Sequence, residues 1–173
     1  MRIIAIVGVW NFQTLSRLMW PHFETAFKKQ FPRASFSVEH LWYSPWQGEK
    51  MRRFADSIVE KYDDGEEDIL LLGHSMGGVI ATAIASRFTK ARVVQVVTVF
   101  SPHKFLGGIF PRMLRSRRTN VPVVSCSALL DWIVLWGARH PDAVRHARIN
   151  CDHLFGLLLS KGPAEKIAKA AKL

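Results

Sequence analysis

The stretch 68–88, DILLLGHSMGGVIATAIASRF, constrains the fold more than any other part of the chain. Residues 68–74 hold a short, unbroken apolar run, too brief for a helix of its own and suited to a strand covered on both faces. Residues 76–89 continue with helical character. Between them Gly73, Ser75 and Gly77 spell G-x-S-x-G, and Gly78 follows. That pattern alone is weak, because small residues meet this way by chance. A strand leading in and a helix leading out restrict it to a sharp βα turn that can lift a serine hydroxyl clear of a sheet.

The remaining sequence repeats the same alternation. Residues 2–9 (RIIAIVGV) read as a first strand, and residues 13–30 as a helix with Leu15, Leu18, Met19, Phe23, Ala26 and Phe27 on one side, split or kinked at Pro21. SFSVEHLW is a second strand. EKMRRFADSIVEKY is an amphipathic helix with Met51, Phe54, Ile58 and Tyr62 at helical spacing. RVVQVVTVF and VPVVSCSALL read as the fourth and fifth strands, HARIN as a short sixth, and GPAEKIAKAAKL as a closing helix. Repeated strand–helix units predict an α/β domain over residues 1–173: a mostly parallel sheet of about six strands with helices on both faces.

Length and composition narrow the classes. A chain of 173 residues, 49% hydrophobic and 22% charged, can bury one core without disulfides or metals. The start, MRIIAIVGVW, mimics a secretory signal but lacks a small-x-small cleavage site, so it reads as a buried strand, with cytoplasm the default compartment. Lys and Arg outnumber Asp and Glu by 24 to 14, a net charge of +10. A solvated basic face accounts for this; the sharper alternative is attraction to an anionic membrane, nucleic acid or an acidic substrate. RMLRSRR, ending at Arg118, is the densest basic cluster, and no nucleic-acid-binding signature accompanies it. Cys126 and Cys151 show neither CxxC nor metal-ligand spacing. They read as small buried residues, or as a disulfide if strand ends bring them together. No metal or organic cofactor is implied.

Chemistry concentrates at Ser75, which needs a base. Of seven histidines, His74 adjoins the serine on a turn that points neighbours apart, so it reads as a packing residue. His22 falls in a helix and His40 in a strand. His140 and His146 read as solvated loop residues among arginines, while His103 follows a strand and is placed to line a site. His153 follows the last strand, at the sheet edge where open α/β folds bind ligands, and is the candidate base. Asp131, set among apolar residues just past the fifth strand, is the candidate acid that orients it; the bland alternative is a helix cap. Asp142 reads as solvated, and Asp152 is too close in sequence to reach Nδ1 of His153 well. Two backbone N–H groups would hold an oxyanion: Met76 supplies one, and Val9, or else Trp10, the second. Trp10, His103, Phe105, Phe110 and Trp132 are candidate pocket residues, weighed against ordinary core packing.

With the order Ser75, Asp131, His153, the chain resembles the α/β-hydrolase superfamily, in particular its small lid-less lipases and esterases. IIAIVGVWNF, LLLGHSMGGVIA, VVTVFSPHKFLGG, SALLDWIV and DHLFGLL carry the resemblance over nearly the whole chain. The family often has His-Gly at the end of its first strand, where Val7-Gly8 stands here. The resemblance implies a minimal domain without a cap, an open site, and ester hydrolysis through an acyl-enzyme. The substrate would be a small-molecule or lipid ester. A thioesterase, amidase or acyltransferase using the same residues, and a non-catalytic basic binding module, are the alternatives.

Overall fold

Strand β1 (Arg2–Ile6) is buried along all but its first residue. Its side chains alternate between two separate cores: Ile3 and Ala5 join one, Ile4 and Ile6 the other. Such a strand must be covered on both faces, and the rest of the fold supplies the cover. The structure is a computed structural model, and it describes residues 1–8, 13–40, 47–103, 119–134, 139–153, 157–158 and 160–172. Val9, Trp10, Phe105, Phe110 and the basic cluster 112–118 lie outside the described residues.

Around β1 stand β2 (Ser35–Glu39), β3 (Ile69–His74), β4 (Val93–Val99), β5 (Val123–Leu130) and β6 (Ala143–Asp152). The spatial order is β2-β1-β3-β4-β5-β6, and every pairing is parallel. Helices α1 (Gln13–Gln30) and α4 (Lys161–Ala171) cover one face, with Met19, Phe23, Phe27, Ala164 and Ile167 in a shared core. Helices α2 (Gly48–Tyr62) and α3 (Met76–Ile84) cover the other, through Met51, Phe54, Ile58, Val79 and Ile80. The expected doubly covered parallel sheet of six strands is therefore the fold. Among the described residues no helix is long and apolar enough to cross a membrane.

Four local expectations need correction. Helix α1 runs unbroken from Gln13 to Gln30, so Pro21 does not split it. Leu18, given to the buried side by helical spacing, is 55% exposed. The third helix ends at Ile84, and a single 3-10 turn (Ala85–Arg87) completes the segment. The sixth strand is twice the length expected; as an edge strand it carries Arg145, His146 and Arg148, which disguise it as loop.

The cysteines are free, Cys126 buried and Cys151 half-buried, so they form no disulfide. Burial pushes both thiols up to about 12; the carboxylates of Asp152 and Asp131 add to this at Cys151.

Candidate active site

Parallel pairing puts the carboxyl ends of all strands on one edge of the sheet. The chain leaves β1 toward β2 on one side and returns with β3 on the other, so a switch point opens between the ends of β1 and β3. Gly8 and Ser75 meet there: a Cβ at Gly8 would stand 2.8 Å from Ser75 Cβ and 3.4 Å from its Oγ.

Ser75 has φ 52° and ψ −127°, a backbone region that costs a non-glycine residue about 1–3 kcal/mol and persists only when surroundings enforce it. The enforcement is visible. Ser75 N–H donates to Val99 O at 2.8 Å, and Gly78 N–H donates to Ser75 O at 3.1 Å. Tight packing does the rest. A Cβ on Gly73 would lie 2.4 Å from backbone atoms of Gly77 and Gly78, and one on Gly77 only 2.1 Å from Ile6 O. The turn can close against β1 only because these positions lack side chains. Met76 begins α3, so its N–H is among the first-turn donors that have no partner inside the helix.

Beyond β4, the last two strands of the sheet, β5 and β6, deliver a bonded pair. His153 Nδ1–H donates to Asp131 Oδ1 at 3.0 Å and Oδ2 at 2.9 Å. Both side chains are almost fully buried, at 4% and 1% exposure. Asp131 Oδ1 also accepts from the backbone N–H groups of Ile133 (3.0 Å) and Val134 (2.7 Å). Burial pushes the Asp131 carboxyl up, but the bond from His153 and those from Val134 and Ile133 outweigh it, and its pKa lies below the ordinary value. The aspartate thus caps a turn and orients an imidazole at once.

Register explains why these two meet. Ala128 pairs with Ile149, but after an irregularity Leu130 pairs with Asp152. One extra residue in β6 is taken up there, as in a β-bulge. The next residues on the two strands are Asp131 and His153. Without the shift Asp131 would face Asp152.

His74, the last residue of β3, is buried as expected. His103 and His140 pack edge to face, with centroids 4.7 Å apart. Burial, and then His140, push His103 down to about 3. His140 is not solvated: it is 0% exposed, and its backbone N–H donates to Ser125 Oγ at 3.1 Å. His146 lies in β6 and is half-buried rather than a loop residue. Trp132 is 62% exposed and, with Leu129, Leu130 and Ile133, forms an apolar run on either side of Asp131. Among the described residues no hydrogen bond joins Ser75 to His153, and no cluster of three or more His, Cys, Asp or Glu could hold a metal.

Sequence reasoning missed Phe100. It follows β4 with φ 52°, is fully buried, and its ring lies 6.0 Å from that of His153. No residue type in VFSPH announces that conformation.

A six-strand parallel sheet with helices on both faces, a strained serine turn after β3 and an Asp–His pair after β5 and β6 define a class: the fold is that of the α/β-hydrolase superfamily. The model of the PGAP1-like alpha/beta domain family matches residues 47–112, which include the Ser75 turn and exclude Asp131 and His153. An extracellular alpha/beta-hydrolase from a Paenibacillus species matches with a TM-score of 0.67 at 14% identity, over 100% of both chains. The pyrethroid hydrolase PytH matches with a TM-score of 0.64 at 14% identity, over 97% of this chain and 96% of that one. BorB, the type II thioesterase of the borrelidin biosynthetic cluster, matches with a TM-score of 0.62 at 13% identity, over 99% and 92%. No curated protein sequence matches.

Proposed function

We propose that the chain is a serine hydrolase that cleaves carboxylic esters through an acyl-enzyme, with Ser75 as nucleophile, His153 as base and Asp131 as the acid that orients it. The buried hydrogen bond between His153 Nδ1 and Asp131 carries this reading. A carboxylate accepts only, so Nδ1 bears the proton and Nε2 keeps its lone pair, the tautomer a general base needs. The elbow geometry of Ser75 on the same sheet edge supports its role. Catalytic hydrogen bonds are often long in the free enzyme and tighten in the substrate complex, and Ser75 with His153 is read in that way.

Ser75 Oγ attacks the ester carbonyl while its proton passes to His153 Nε2. The oxyanion accepts from Met76 N–H, and a second donor falls to Val9. His153 then protonates the departing alkoxide, which leaves as an alcohol. Water repeats the sequence on the acyl-enzyme and releases the acid. The exposed apolar residues Leu129, Leu130, Trp132 and Ile133 beside Asp131 favour an ester with an apolar acyl or alcohol group, and the charge of +10 favours contact with an anionic lipid surface.

The test is hydrolysis of a panel of esters, thioesters and amides of graded acyl length, free and in anionic vesicles, by wild type and Ser75→Ala. Ester turnover lost by about 3–6 orders of magnitude in Ser75→Ala is the expected result. Preference for thioesters or amides would keep the triad and change the substrate. No turnover of any member would leave a non-catalytic basic module as the better reading.

A further inference from the structure

His74 does more than fill the core. Its Nε2 lies 3.3 Å from the carbonyl oxygen of His153. A carbonyl only accepts, so His74 carries its proton on Nε2 and donates it. The His74 ring is 5.3 Å from the His153 ring and 6.3 Å from Phe100, and Phe100 closes the triangle at 6.0 Å from His153.

The connection spans the sheet. β3 and β6 are not neighbours, since β4 and β5 stand between them. His74 bridges the end of β3 to the loop that follows β6, across the end of β4, where Phe100 occupies the gap. His74 is also peptide-bonded to Ser75. One residue therefore links the main chain carrying the nucleophile to the main chain carrying the base. Its charge state suits that place. Burial, and then the nearby His153, push His74 down to about 3, so it stays neutral beside a ring that becomes cationic during turnover.

We propose that His74 is a positioning residue: its Nε2–H holds the His153 backbone and so sets the distance between the base and Ser75. The inference rests on the triad reading above. It separates the roles of the two histidines, with one moving protons and the other holding the main chain of the first.

The experiment compares wild type with His74→Leu, which removes the donor, and His74→Gln, whose amide N–H can reach the same oxygen. For esters turned over by wild type, His74→Leu is expected to lower kcat by about 10–100-fold with KM within about two-fold, because small misplacement of a reacting group costs on that order. His74→Gln is expected to recover most of the loss. Equal kcat in wild type and His74→Leu, or no recovery by Gln at matched thermal stability, would overturn the proposal. Nitrogen NMR of the wild-type imidazoles gives a readout free of activity and of variant folding. His74 is expected as a neutral ring protonated at Nε2, and a ring protonated at Nδ1 alone would overturn the proposal. If Ser75 fails its own hydrolysis test, the ester reading falls, while the NMR result still decides whether His74 holds the His153 loop.

Discussion

His153 Nδ1 donates to both carboxylate oxygens of Asp131, at 3.0 and 2.9 Å, from a side chain that is almost fully buried. Asp131→Asn replaces one acceptor oxygen with a donor and reverses the tautomer that His153 must adopt. The expected loss in kcat is about three to four orders of magnitude, with KM little changed. Asn keeps an oxygen for the N–H groups of Ile133 and Val134, so the variant is expected to fold. Circular dichroism and ester kinetics check both halves.

The same carboxyl makes stability depend on acid. The folded pKa of Asp131 is depressed, so the folded state holds this proton less tightly than the unfolded chain does. Its contribution is fully present above the unfolded value of about 4 and is lost as pH falls through the folded value. Urea midpoints of wild type and Asp131→Asn, measured from pH 6 downward, are expected to converge in acid. A constant gap would mean that the ionised form of Asp131 is not what stabilises the fold.

Gly77 is where the serine turn meets β1. A methyl group there would sit 2.1 Å from Ile6 O and 2.7 Å from Ile6 C, atoms of a buried strand with no room to give. Gly77→Ala is expected to cost about 3 kcal/mol and to abolish turnover. Gly162→Ala is the control: its nearest neighbour would be Ser160 Oγ at 3.5 Å, and stability is expected to change by less than about 1 kcal/mol. Denaturant titration of the two variants tests the contrast.

Much of this was legible in the sequence because it follows from period and punctuation. Unbroken apolar runs mark strands covered on both faces, and a serine between glycines marks the turn. Asp131 and His153 could be picked out because each follows a strand signal toward the same sheet edge, the aspartate among apolar residues where a lone carboxylate would be costly. What stayed hidden depends on the third dimension. The irregularity between Ala128 and Leu130 that aligns Asp131 with His153 leaves no mark in residue type. His140 stands beside exposed Arg139 and Asp142 in sequence, yet β5 and His103 enclose it. β6 looks short in the sequence because an edge strand tolerates the arginines that a central strand would exclude. The hydrogen bond of His74 leaves no mark in the sequence, because its partner, the His153 carbonyl, is distant in the chain.

Whether Ser75 is the nucleophile is decided by reaction with a fluorophosphonate probe followed by peptide mass mapping. One adduct per chain, on the peptide containing Ser75, is expected; it should be absent in Ser75→Ala and form far more slowly in Asp131→Asn. An adduct on another residue, or none on protein that turns over esters, would contradict the account.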